Sequence, residues 1–215
     1  MWSDITKIPN LISIGRLLLL IPTGYFIAQP GNEAKIYALC FLTIAALSDF
    51  LDGFLARKLK QQTQLGLLLD PLSDKILAGV LAILLILYRD FPLWLAAVII
   101  GRDIVISLGG LIVKNKIHKV PASTLSGKYC FAAIAILLIS YLIEFPFGIW
   151  FFTFWTLFYS AASLIVYSRI LYRISADKPI PVFRDRPLYK AGRLALCWSV
   201  SGVYVFQLLK FIHWI

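Results

Sequence analysis

Residues 47–75 read LSDFLDGFLARKLKQQTQLGLLLDPLSDK, and this stretch carries four aspartates, Asp49, Asp52, Asp70 and Asp74, in a chain that is 60% hydrophobic. Asp49 and Asp52 stand three residues apart and Asp70 and Asp74 four apart, so each pair shares one face of a helix. Gly53, Ala56 and Arg57 flank the first pair, and Gly66 extends the second into a stripe. The flanking sequence is apolar on both sides. The carboxylates therefore lie at the end of one membrane span and the start of the next, where charge is expensive.

Outward from this stretch, apolar runs of about 20 residues recur, the length needed to cross a bilayer. They predict spans at Pro9–Ala28, Lys35–Leu55, Leu65–Tyr88, Phe91–Val113, Ser123–Phe145 and Phe147–Tyr172, with a further apolar helix at Leu194–Ile215. Pro146 and Gly148 are expected to make the turn between spans five and six. With 215 residues, a mean hydropathy of +0.83 and 15% charged residues, the composition excludes a soluble globular domain. The predicted fold is an all-α polytopic membrane protein, a six-helix bundle with an additional C-terminal hydrophobic helix. Its parts are a membrane domain at 1–173, a basic cytoplasmic segment at 174–193 and the hydrophobic helix at 194–215, which either spans or lies in the interface. Cys40, Cys130 and Cys197 are isolated in apolar runs and read as core residues.

The net charge of +10 does not point to nucleic acid, because the cations sit at span ends. Lys7, Arg57, Lys58, Lys60, Lys114, Lys116 and Lys119 flank one set of connections, followed by the run from Arg169 to Arg193. The opposite connections hold only Lys35 and Arg89. The positive-inside rule places the N-terminus and every basic loop in the cytoplasm. The ionisable residues inside spans, Arg16, the four aspartates, Lys75, Arg102, Asp103 and Lys128, then fall within roughly 5 to 20 Å of that face. This is a polar cavity open to the cytoplasm.

Four carboxylates converging from two helices repel one another unless protonated or bound to metal. Hard oxygen donors suit Mg²⁺ or Mn²⁺, ions that share their coordination with phosphates. With Arg16, Arg57, Arg102 and Lys128 as anion-binding cations, the implied ligand is amphiphilic, with a phosphorylated head at the membrane surface.

The spacing Asp49-x2-Asp52-Gly53-x2-Ala56-Arg57-x8-Gly66-x3-Asp70-x3-Asp74 resembles, at all eight fixed positions, the signature of the CDP-alcohol phosphotransferases. That resemblance implies a six-helix core, a homodimer and two divalent ions held by Asp49, Asp52, Asp70 and Asp74, with Asp74 as catalytic base. It also implies a CDP-lipid site lined by Gly53, Ala56, Arg57 and Gly66, joined by Thr63 and Asn10. The donor would be CDP-diacylglycerol and the acceptor a phosphorylated alcohol met by Arg16, Arg102 and Lys128. The segments IPNLISIGRLLLLIP, GRDIVIS and SGKYCF most resemble the members that transfer to glycerol 3-phosphate. The Arg102-Asp103 pair is shared with cardiolipin synthases, which use phosphatidylglycerol, whereas many glycerol 3-phosphate enzymes have Arg-Glu there. A cation transporter would need polar residues continuing through the outer half of the bundle, where Ser107, Ser140 and Ser160 occur but no acidic path does. The expected location is a bacterial-type inner membrane with the active site facing the cytoplasm.

Overall fold

The computed structural model describes the backbone of residues 8–58, 64–113, 125–176 and 187–213, and the side chains of 12, 14–48, 51, 73–110, 125–176 and 197–212. All regular structure among these residues is helical: α1 Ile8–Leu18, α2 Leu20–Ala28, α3 Asn32–Lys58, α4 Gln64–Tyr88, α5 Leu93–Val113, α6 Leu125–Leu142, α7 Pro146–Ser175 and α8 Pro187–His213. Among the described residues, Leu93–Gly110, Leu125–Leu142 and Pro146–Ser175 are long and apolar enough to cross a membrane. Helices α3 and α4, at 27 and 25 residues, are each about 40 Å long but carry the acidic motif at one end. The protein is an all-α polytopic membrane protein.

Most exposed large side chains are apolar, including Leu18, Ile21, Leu93, Trp150 and Trp198. Such a surface suits lipid. Tyr88, Trp94 and Trp150 lie near the connections poor in cations, and Tyr172 lies at the basic end of α7, the distribution of interfacial aromatic belts.

The chain divides into two compact units, Met1–Ala96 with Tyr141–Glu144, and Ala97–Ser140 with Phe145–Ile215. In the first, α1 and α2 are one helix interrupted at Leu19, packed against both α3 and α4. Pro22 explains the interruption. It has no N–H to give the Leu18 carbonyl, and its ring crowds the preceding turn. Thr23, fully buried, donates its hydroxyl to the Leu19 carbonyl at 2.7 Å. Gly31, at φ +101°, turns the chain from α2 into α3, where Phe26 stacks on Phe41 and meets Tyr37. A Cβ at Gly24 would touch Leu84, and Arg16 meets Asp74, so contacts advance together along both helices. The α1–α2 helix and α4 are therefore parallel.

In the second unit, Cys130 bonds Ser160 at 3.3 Å, Tyr129 stacks on Tyr159 and Ser140 abuts Gly148, which makes α6 and α7 antiparallel. Arg102 bonds Ser163 and Gly109 faces Leu171, which makes α5 and α7 parallel. Helix α8 meets α7 at Phe145–Phe211, Phe152–Tyr204 and Tyr159–Cys197. Each step adds seven residues on α7 and removes seven on α8. That is the seam of two antiparallel helices crossing at a shallow angle. Lipid offers no hydrophobic drive between helices, so close packing and hydrogen bonds of roughly 0.6–2 kcal/mol each carry their association. Ser140 and Tyr204, 3.2 Å apart, supply one such bond between α6 and α8.

Three details differ from the sequence expectation. The turn between α6 and α7 is made by Glu144, at φ +55°, while Pro146 opens α7, where its missing N–H costs nothing. Gly148 is instead a close-approach residue, since a Cβ there would lie 2.6 Å from both Phe145 and the Ser140 hydroxyl. The last helix starts at Pro187, within the segment expected to be a basic linker, because Pro187-Leu-Tyr-Lys-Ala forms a good first turn. Of the three cysteines Cys130 is buried, but Cys40 is exposed on α3.

Lys35 and Arg89 converge on Glu144, at 2.8 and 2.9 Å, and Arg89 also donates to the Gln29 carbonyl at 2.9 Å. This clasp ties together α3 and the connections that follow α2, α4 and α6. Hydrogen bonding to Lys35 and the two positive charges hold the Glu144 carboxyl below the ordinary glutamate value, against a smaller opposing effect of desolvation. A depressed carboxyl contributes stability above its unfolded pKa, about 4.3, and that contribution disappears as pH falls through the folded value. Glu144→Gln should therefore lower the melting temperature in detergent at pH 7. The difference from wild type should close on acidification below the ordinary glutamate range. A gap that persists unchanged at pH 3 would mean that the clasp charge is not what stabilises this end.

Candidate functional site

Helix α3 places Asp49, Asp52, Gly53, Ala56 and Arg57 within one arc of its circumference, and α4 sets Gly66, Asp70 and Asp74 in a stripe. The backbone of α1 carries Asn10. The side chains of Asn10, Asp49, Asp52, Ala56, Arg57 and Asp70 lie outside the described side chains, and Thr63 lies outside the described residues. Among the described residues no group of three His, Cys, Asp or Glu side chains stands together. Asp74 is the one member of the acidic motif whose side-chain surroundings are described.

Those surroundings are specific. Arg16 Nη1 donates to Asp74 Oδ1 at 2.9 Å, joining α1 to α4 across 58 residues of sequence. The Arg16 side chain is 1% exposed and that of Asp74 35%, so the cation sits beneath the carboxylate. Arg16 lies eight residues into α1 and Asp74 ten residues into α4, about 12 and 15 Å from the start of their parallel helices. Desolvating either charge alone would cost several kcal/mol, which the ion pair offsets.

Arg102 and Lys128, the other cations expected to meet the acceptor, belong to the second unit. Arg102 is about 16 Å from the end of α5 that carries the basic loop. It donates through Nη1 to Asp103 and through Nη2 to the Ser163 hydroxyl at 2.7 Å, so Asp103 pairs with its own neighbour and not with another helix. Lys128 is exposed in the first turn of α6. Sequence reasoning missed Ser163 as a partner of Arg102, and nothing in residue type or spacing marks it. It also missed Arg16 as the partner of Asp74. The matching depth of the two residues in odd-numbered, hence parallel, spans is the one signal that was available.

The arrangement can hold anions and accept a proton. Asp74 presents a partly open carboxylate whose Oδ1 accepts a hydrogen bond from Arg16.

Comparison with known proteins bears on the same residues. A CDP-diacylglycerol–glycerol-3-phosphate 3-phosphatidyltransferase of Pseudomonas fluorescens is 44% identical over 104 residues, covering 47% of this chain and 53% of the relative. The protein of the same name from Aquifex aeolicus is 36% identical over 141 residues, 62% of this chain and 74% of the relative. A cardiolipin synthase (CMP-forming)/mitochondrial hydrolase fusion protein of Schizosaccharomyces pombe is 38% identical over 103 residues, 48% of this chain and 17% of the relative. The match to the first of these thus spans about half of its length. A family profile described as CDP-alcohol phosphatidyltransferase runs over residues 6–168, through Arg16, the whole acidic motif, Arg102 and Lys128. By that match, which covers most of the chain and both motif-bearing helices, the protein belongs to the CDP-alcohol phosphatidyltransferase family.

Proposed function

We propose that the chain transfers the phosphatidyl group of CDP-diacylglycerol to the hydroxyl of glycerol 3-phosphate, releasing CMP and giving phosphatidylglycerophosphate. The observation that carries this reading is the intact eight-residue signature on α3 and α4, with Asp74 held in place from α1. The printed names of the Pseudomonas and Aquifex relatives support glycerol 3-phosphate as acceptor. Transfer to phosphatidylglycerol, giving cardiolipin, is the second reading, favoured by the Arg102-Asp103 pair and by the Schizosaccharomyces relative.

In the proposed reaction the acceptor hydroxyl oxygen attacks the phosphorus that bears the diacylglycerol. The bond from that phosphorus to CMP breaks, its electron pair leaves on the CMP phosphate, and the hydroxyl proton passes to Asp74. Gly53, Ala56, Arg57 and Gly66 line the CDP-lipid site with Asn10 and Thr63, while Arg102 and Lys128 serve the acceptor phosphate. The donor set fits divalent ions, because Asp49, Asp52, Asp70 and Asp74 offer only hard carboxylate oxygens on two adjoining stripes. A pair of Mg²⁺ or Mn²⁺ ions held there would neutralise the diphosphate and the leaving CMP. The enzyme works as a homodimer in a bacterial inner membrane with this site toward the cytoplasm, where the basic loops lie.

The seven-residue seam with α7 also supports a topology. From Cys197 to Phe211, helix α8 runs about 21 Å antiparallel to a spanning helix, and a helix lying in the interface would cross it instead. We assign α8 as a seventh span, with the N-terminus cytoplasmic and the C-terminus on the opposite side.

Purified protein given CDP-diacylglycerol and Mg²⁺ or Mn²⁺ should release CMP with glycerol 3-phosphate. Release only with phosphatidylglycerol would move the assignment to cardiolipin synthesis, and none with any acceptor would refute the transferase reading. Asp74→Asn should lower turnover by about 10²–10⁴-fold, the usual worth of a positioned base, while CDP-diacylglycerol binding stays near wild type. A loss of binding as large as that in Asp49→Asn would remove Asp74 from the role of base. A C-terminal epitope in inverted membrane vesicles should resist protease until detergent is added; digestion without detergent would place α8 on the cytoplasmic surface.

A further inference from the structure

Arg16 is a cation with two competing assignments. Residue type alone makes it a ligand for an acceptor phosphate. Its position argues otherwise. The side chain is 1% exposed, whereas that of its partner Asp74 is 35% exposed. Of the two charges it is the carboxylate, and not the guanidinium, that is open to solvent. Arg16 Nη1 already donates to Asp74 Oδ1 at 2.9 Å.

We infer that Arg16 is a positioning residue, which fixes the orientation of the Asp74 carboxylate toward the acceptor hydroxyl and does not bind the acceptor. Resting on the reading of Asp74 as base, this deepens the proposed function. A carboxylate on a two-torsion side chain sweeps a wide arc unless one oxygen is held, and Arg is suited to hold it because its fork is planar and permanently charged. Helix α1 is well placed to supply it. It packs against both helices that bear the acidic motif, so the orientation of Asp74 is referred to the frame of the bundle and not to α4 alone. Parallel helices at matching depth let the contact form without bending either side chain toward the surface.

The test measures kcat and KM separately for each substrate in Arg16→Gln and Arg16→Lys, with CMP release as the signal. Misplacing a reacting group by about an ångström costs on the order of 100-fold. Arg16→Gln should therefore lose about that factor in kcat, with the acceptor KM and the CDP-diacylglycerol KM both within about twofold of wild type. Arg16→Lys, which keeps the charge without the fork, should recover part of the loss. A tenfold or greater rise in acceptor KM with kcat retained would overturn the inference and return Arg16 to the acceptor phosphate. So would an unchanged kcat in both variants.

Melting temperatures of Arg16→Gln, Asp74→Asn and the double variant supply a readout that does not depend on turnover. If the pair is formed as described, the double variant should melt at or above Asp74→Asn, since removing both partners leaves no lone buried charge. Additive losses would count against the pair itself. Wild-type protein that uses phosphatidylglycerol in place of glycerol 3-phosphate would change the proposed acceptor and leave these comparisons to be made with that substrate. Wild-type protein that releases no CMP with any acceptor would overturn the positioning role together with the transferase reading.

Discussion

A guanidinium closed off from water requires partners, and in this protein one of them is the carboxylate on which the chemistry is proposed to turn. Arg16 and Asp74 meet at 2.9 Å within the membrane-embedded part of α1 and α4. Neither charge is tolerable alone at that depth, so the sequence of α1 is tied to that of α4 although 58 residues separate them. The interruption at Leu19 lies beyond the contact, so Arg16 sits in the last turn of α1, a helix packed on the two motif-bearing helices. A constraint of folding and a constraint of orientation thus fall on the same pair.

The remaining charges follow a similar rule at the opposite end. Lys35 and Arg89, the two cations in the connections poor in basic residues, both converge on Glu144. They pin together the segments that enter and leave the first unit, and Glu144 takes a left-handed backbone to reach them. That conformation is costly for a side chain with a Cβ and persists because two ion pairs depend on it. Among the described residues of the second unit, three of the four buried hydroxyls are bonded to other helices or side chains, Ser140 to Tyr204, Ser160 to Cys130 and Ser163 to Arg102, while Thr156 has no partner. Two of these, Ser140 and Ser160, were the polar outer-half residues that a cation pathway would have used. Here they hold helices together.

Much of this was legible from residue type and spacing. Apolar run length located every described helix to within a few residues at most ends, because span length is set by the bilayer and not by contacts. The two carboxylate stripes were legible because helical periodicity alone puts residues three and four apart on one face. What was not legible required knowing which helix neighbours which. Residue type and spacing do not show that Asp103 pairs with Arg102 beside it, or that Arg102 also meets Ser163 on α7. Gly148 was read as a turn former, yet its lack of a Cβ serves the approach of Ser140 and Phe145. Pro187 was placed in a linker because the charge of the following residues hid a sound helix start.

The balance of charge gives a physical reason for the composition of the acidic stripes. Four carboxylates on α3 and α4 carry four negative charges, and Arg16 compensates one of them from behind. Arg57, within the motif, adds one more positive charge to the count. A deficit of about two charges is too small for two bound divalent ions to be matched by protein alone, and a diphosphate brings the negative charge that completes the balance. Under the proposed reading the site is therefore best neutralised when ions and nucleotide-lipid are present together. A cation fixed beneath Asp74, instead of beside the diphosphate, keeps that balance while leaving the carboxylate turned toward the acceptor.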